Sequence, residues 1–241
     1  MRILITGASG GIGGAAVLRA LEDGHEVYAH GRDASRLAGL AERDAEVITG
    51  DLATEEGLSA LSSRFDRAPL DAVIAAQGVP GGGAIDSFTD AELRRVLEVN
   101  YRSVVRLFRA LRTGALQAGS RYVVVASQAS LRSEPYDAVY CSSKWAALAW
   151  AEAQRKIEGD SGVRIRSLCP GRTVTPLFDD AMASFAAARG LSLEDFTADT
   201  LELIPLRRFA SATETAESAL FLASPDPRPA VLAQTGGEVP W

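Results

Sequence analysis

The sequence predicts an α/β fold: a doubly wound parallel sheet of about seven strands, helices on both faces, three layers in all. Three observations predict it. Short β-branched runs alternate with amphipathic segments along most of the 241 residues. Runs such as Val73-Ile74-Ala75 and Tyr122-Val123-Val124-Val125 are apolar at consecutive positions, which suits strands covered on both faces. A glycine-rich turn, TGASGGIG at 6–13, stands between the first such run and the first helical segment.

In chain order, strands are expected at 3–6, 26–30, 46–49, 72–76, 122–126, 164–168 and 230–233. Helices are expected between them near 12–23, 33–42, 54–65, 89–117, 137–158 and 213–223. Right-handed crossovers then leave few topologies. Gly78 to Gly83 form a Gly/Pro loop after the fourth strand, where a ligand crevice would open. The stretch 176–209 lacks a strand and carries Leu177, Phe178, Met182, Phe185, Leu191 and Phe196 at helical spacing. It reads as a pair of helices forming a substrate lid, because it follows a strand's C-terminal end. No repeat or linker divides the chain, so one domain over 1–241 is expected.

Composition narrows the function. A net charge of −6 and a pI near 5.1 argue against nucleic acid or an anionic membrane as the main partner. Cys141 and Cys169 are too few for a disulfide framework or a zinc site. With His25 and His30 the only histidines, His-centred catalysis and His-rich metal sites are not expected. No apolar run is long enough to span a membrane, and the glycines of the N-terminal stretch would break a signal-peptide helix. A cytoplasmic protein is expected.

The glycine turn fits a dinucleotide's pyrophosphate. Gly7 permits the tight turn, Gly11 lets backbone approach the anion, and Gly13 lets the helix pack on the strand. The N–H groups and dipole of the following helix favour the anion. After the second strand the chain reads His30-Gly31-Arg32-Asp33. A carboxylate at the strand end would hold the ribose of NAD; here Gly31 takes that place and Arg32 follows, suited to the 2′-phosphate of NADP. Asp33 is expected to cap the next helix. NADP is therefore the expected cofactor, with NAD open. Asp51 either accepts from the adenine amino group or caps the helix near 54.

Tyr140 and Lys144 lie four apart on a helix and so share a face. A free tyrosine is a poor base, with a pKa near ~10; an ammonium ~5 Å away favours the phenolate by about 2 pK units. The pair can then exchange a proton with a substrate oxygen. Ser127 ends the fifth strand 13 residues before Tyr140, placed to bond the same oxygen. Asn100 lies mid-helix, where propensity disfavours it, and its amide can hold a water beside Lys144.

These pieces together resemble the short-chain dehydrogenase/reductase family in its short, one-domain, Rossmann-like form. The resemblance rests on TGASGGIG at 6–13, Asp51-Leu52, Asn100, Ser127, YCSSK at 140–144, PGRTVT at 170–175 and the closing stretch at 204–224. It implies hydride transfer between nicotinamide C4 and a carbonyl carbon, with Tyr140 as acid/base and Ser127 orienting the carbonyl. It implies that Lys144 bonds the nicotinamide ribose and that Asn100 supports a water relay. Cofactor contacts are implied for Ser9, Gly10, Ile12, Leu52, Gln77, Gly78, Pro170, Gly171, Thr173 and the Thr175 hydroxyl. A homo-oligomer, dimer or tetramer, through the helices at 89–117 and 137–158 is also implied. Three departures stand out: Ala75-Ala76-Gln77-Gly78 replaces the family's Asn-Asn-Ala-Gly, Gly10 lacks the second basic residue frequent in NADP-dependent members, and the tail TGGEVPW is short. The expected activity is a ketone/alcohol oxidoreductase for a small neutral or apolar substrate; a 3-oxoacyl thioester reductase and a non-catalytic NADP(H) sensor are the alternatives.

Overall fold

The computed structural model describes residues 1–66, 68–135, 137–225 and 229–239. Seven parallel strands form one sheet: β1 (Arg2–Thr6), β2 (Glu26–Gly31), β3 (Glu46–Thr49), β4 (Ala72–Ala75), β5 (Arg121–Val125), β6 (Arg164–Pro170) and β7 (Val231–Gln234). Their order across the sheet is β3-β2-β1-β4-β5-β6-β7. The chain winds outward from β1 to β3, then returns across it to place β4 on the other side. The direction therefore switches between β1 and β4, and their carboxyl ends part to open a crevice.

The register sorts side chains into two cores. Tyr28, Leu4, Val73, Tyr122 and Ile165 lie in one row across five strands. All five belong to the core beneath α3 (Glu55–Ser62), α5 (Ser103–Arg112) and α6 (Ala138–Ile157). The next row, Ala29, Ile5, Ile74 and Val123, faces the opposite core under α1 (Gly11–Glu22) and α9 (Ala212–Ala223). The period of two along each strand thus explains why these strands read as continuously apolar. Tyr122 is fully buried and keeps its hydroxyl satisfied by donating to the Val104 carbonyl at 2.7 Å.

Each expected strand is present within two residues at either end. The helices differ more. The segment 33–42 is only a 3₁₀ turn, Ser35–Leu37, followed by the single-turn α2 (Ala38–Ala41). The long helix expected at 89–117 starts at a Thr89 capping box as α4 (Asp90–Leu97), widens to a π turn at Glu98–Arg102, and resumes as α5. The π turn contains Asn100. The stretch 176–209 holds α7 (Pro176–Arg189) and α8 (Leu193–Glu202). Met182, Ala186 and Phe196 give these helices a small core of their own, flanked by Phe178, Phe185 and Phe209.

Phe65 is fully buried, edge-on to Tyr28 with ring centroids 4.9 Å apart. Phe65→Ala is expected to cost about 3–5 kcal/mol and to lower Tm by roughly 10 °C, read from urea and thermal unfolding.

Candidate active site

A crevice of about 420 Å³ runs across the carboxyl ends of the strands, from the β1–α1 turn to α7 and α8. At its floor, Gly7 adopts φ +69°, and a Cβ there would stand 2.7 Å from the Ala76 and Gln77 backbone. A Cβ on Gly13 would stand 2.3 Å from the Gly7 carbonyl oxygen, and one on Gly11 2.4 Å from the Thr175 methyl carbon. Side chains at these positions would fill the cradle or push the helix off the strand. Ser9, Gly10, Gly11, Ile12 and Gly13 all line the crevice. The cradle thus suits a pyrophosphate held by backbone N–H groups at the start of α1.

At the end of β2, Gly31 lies flush against Ser9 and Leu37: a Cβ would come within 3.2 Å of both. Arg32 lines the crevice there, and so does Arg36, whose guanidinium donates to the Ser9 carbonyl at 2.9 Å. Asp33 turns its carboxylate to the Ser35 N–H at 2.9 Å and hydroxyl at 2.7 Å, an Asx-type turn, while Ala34 rather than Asp33 takes the N-cap position of the 3₁₀ turn. Arg36 was not anticipated from sequence; its spacing four residues after Arg32, across one turn, is the signal that would have found it. Asp51 and Leu52 line the same end, with Asp51 accepting from the Ala53 N–H at 2.9 Å while Thr54 caps α3.

Beyond the switch point, Gln77 supplies the amide missing from the expected motif. Its carbonyl accepts from the Thr6 hydroxyl, and its NH₂ donates to the Ser103 hydroxyl at 3.0 Å. Asn100, almost wholly buried in the π turn, grips the loop after β4: its Oδ1 accepts from the Val79 N–H at 2.8 Å and its Nδ2 donates to the Val79 carbonyl at 3.0 Å. The same Nδ2 donates to Ser143 Oγ at 3.0 Å. A Cβ on Gly78 would lie 3.6 Å from both Asn100 Oδ1 and Lys144 Nζ, so these two groups face each other across that glycine.

Tyr140 and Lys144 project from the first turns of α6 toward Ser127 at the end of β5. Lys144 is buried, donates to the Val125 carbonyl at 3.0 Å, and holds its Nζ 5.7 Å from the Tyr140 ring centroid. Burial pulls its pKa down to about 8. Burial also pushes the Tyr140 phenol above its ordinary value, opposed by a hydrogen bond with Ser127. The expected depression of the phenol by Lys144 is therefore not what this arrangement produces. Desolvation dominates instead: Lys144 is buried, Tyr140 is half-buried, and the ammonium is turned to a strand carbonyl.

The loop after β6 closes this side. Pro170, Gly171, Arg172, Thr173 and Thr175 line the crevice. The Thr173 hydroxyl donates to the Gly171 carbonyl at 3.1 Å, and the Thr175 hydroxyl caps α7 by accepting from the Phe178 N–H at 3.2 Å. Both hydroxyls thus shape the loop. The far end is walled by Phe178, Met182, Phe185 and Phe196 from α7 and α8. Glu238, buried near the chain's end, binds Arg172 through two contacts of 3.1 Å and was not anticipated either; no local pattern around it signals a partner 66 residues away.

The short chain dehydrogenase family model matches residues 1–184. Protein MoaE of Klebsiella aerogenes is 30% identical over 227 residues, 92% of this chain and 88% of that protein. Levodione reductase of Leifsonia aquatica is 28% identical over 93% of this chain and 87% of its own length. Among solved structures, a tryptophan variant of actinorhodin polyketide ketoreductase with NADPH superposes with a TM-score of 0.85 at 25% identity, covering 98% of this chain and 96% of that one. The chain belongs to the short-chain dehydrogenase family, whose members are nicotinamide-dependent oxidoreductases acting on CH–OH and C=O groups. No helix among the described residues is long and apolar enough to cross a membrane.

His30 lines the crevice at the end of β2, 2% exposed, with no hydrogen-bond partner among the described residues on either ring nitrogen. Burial lowers its pKa from 6.5 to about 4. The unfolded chain therefore takes up this proton first as pH falls, and stability drops between pH 6.5 and 4. His30→Gln is expected to remove about 3 kcal/mol of that pH-dependent loss, measured as urea midpoints across the same range.

Proposed function

We propose that this protein is an NADP(H)-dependent carbonyl reductase and secondary-alcohol dehydrogenase with Tyr140 as its acid/base. The observation that carries this reading is the convergence of Ser127, Tyr140 and Lys144 on a crevice whose other end is a glycine cradle flanked by two arginines. Bound NADP(H) would supply or accept the hydride. The chain's own residues do the rest. Ser127 holds the substrate oxygen, with its hydroxyl already bonded to Tyr140. Tyr140, kept protonated by burial, is poised to give its proton to that oxygen as charge develops, which suits the reductive direction. Lys144 and Asn100 face each other across Gly78 and can pass a proton through an intervening water back to the tyrosine.

Gly7, Ser9, Gly10, Gly11, Ile12 and Gly13 would cradle the pyrophosphate, and Arg32 with Arg36 the 2′-phosphate. Asp51, Leu52, Gln77 and Gly78 would line the adenosine and ribose, with Pro170, Gly171, Thr173 and Thr175 at the nicotinamide end. The absence of an acid from the Gly31 position and the turning-away of Asp33 support NADP over NAD. The aromatic wall from α7 and α8 supports a largely apolar carbonyl compound, with those helices closing over it as a lid. We further read the chain as one cytoplasmic domain that assembles as a homo-oligomer. A 3-oxoacyl thioester is the second candidate substrate, favoured by the likeness to a polyketide ketoreductase.

Tyr140→Phe is expected to lower kcat/KM for ketone reduction by about 10²–10⁴-fold while leaving dinucleotide binding intact. A variant retaining most of the activity would overturn the assignment. Arg32→Ala combined with Arg36→Ala is expected to weaken NADPH binding by roughly 10–100-fold and NADH binding by no more than about threefold, followed by fluorescence titration.

A further inference from the structure

Asp137 lies one turn before Tyr140, at the mouth of α6, and lines the substrate end of the crevice. It is 9% exposed, and no hydrogen bond from a described residue reaches its carboxylate. Its helix has no use for it as a cap, since no helical N–H bonds its side chain. The cations nearby are engaged elsewhere: Arg132 binds Glu134 at 3.0 Å, Arg172 binds Glu238 at 3.1 Å, and Arg189 lies over the Phe196 ring at 5.3 Å. Burial and the adjacent Glu134 push its pKa up to about 7, as expected for an acid lacking a donor.

The surroundings show where its oxygens face. A Cβ on Gly82 would stand 3.5 Å from Asp137 Oδ1 and 2.6 Å from Phe185 Cε1. Gly82 therefore leaves a slot between a carboxylate on one side and an aromatic edge of α7 on the other. The Asp137 oxygens are reached only from the crevice, so a substrate donor entering beside the tyrosine that handles the reacting oxygen would replace water there.

We propose that Asp137 is a specificity-determining residue that accepts a hydrogen bond from a hydroxyl or ammonium group which the carbonyl compound carries besides its reacting oxygen. This rests on the carbonyl-reductase reading and narrows its substrate class to carbonyl compounds with an apolar body and one donor. An anionic substituent in the same place would meet a carboxylate and be refused.

The test is a panel of cyclohexanones bearing hydroxyl, amino, methyl or carboxylate groups at ring positions 2, 3 and 4, reduced with NADPH by the wild type, Asp137→Asn and Asp137→Leu. For at least one ring position, the wild type is expected to favour the hydroxyl or amino ketone over its methyl counterpart by roughly 10- to 100-fold in kcat/KM. Asp137→Leu is expected to abolish that preference while turning over the methyl compound within about threefold of wild type. Asp137→Asn separates the two donors, since a neutral amide oxygen still accepts from a hydroxyl but loses its hold on an ammonium. A merely structural role would slow all substrates alike and leave the ratios unchanged, which would overturn the assignment; so would a wild type that reduces methyl and donor-bearing ketones equally well. Failure to reduce any member of the panel, or any other ketone, would instead remove the carbonyl-reductase reading and this inference with it.

Discussion

The architecture depends on one close approach, that of Gly7 to the Ala76–Gln77 backbone at the point where the sheet reverses its winding. Only a residue without Cβ, in the left-handed region, lets the β1–α1 turn descend there. That descent fixes the start of α1 beside the carboxyl end of β4, and Gly13 then seats α1 on the turn itself. The crevice is the space left above this contact. Its two functional ends diverge from it, the arginines along β2 and the tyrosine–lysine face along β5.

Burial sets the chemistry at the second of these ends. Lys144 is buried and Tyr140 half-buried, and desolvation lowers the ammonium's pKa and raises the phenol's. Each change favours the neutral form, and the two groups move apart in acidity, the ammonium becoming the stronger acid and the phenol the weaker one. The phenol therefore stays protonated until an alkoxide developing beside Ser127 draws its proton away. Elementary electrostatics between a Tyr and a Lys one turn apart gives a different sign for the tyrosine, because it treats the pair as partly solvated. Here the Lys144 ammonium is engaged with the Val125 carbonyl rather than with the phenol.

The sheet was legible because its strands obey local rules. Apolar continuity, β-branching and flanking turns all act within a few residues, and the row from Tyr28 to Ile165 follows from them. The glycine turn and the spacing of Asn100, Ser127, Tyr140 and Lys144 were legible as well, since they form a sequence pattern that needs no distant contact to be read. What escaped depends on contacts distant in sequence or on departures from regular helix. The π turn around Asn100 is invisible to a 3.6-residue period, yet it aims that side chain at Val79. Glu238 meets Arg172 across 66 residues. Asp137 looks like an ordinary N-terminal helix acid, and only its lack of a capping bond shows otherwise.

Gln77 shows how a departure from a family pattern can leave the function standing. The Gln77 amide reaches two hydroxyls, Thr6 on β1 and Ser103 on α5. Ser103 in turn donates to the Val99 carbonyl at 2.7 Å, inside the π turn that carries Asn100. The chain Thr6–Gln77–Ser103–Val99 therefore links the glycine cradle to the loop clamp through a run of hydrogen bonds. Such a network is favourable in a buried setting only when every member finds its partner. Gln77 and Ser103 together tie β1 to α5 across the switch point.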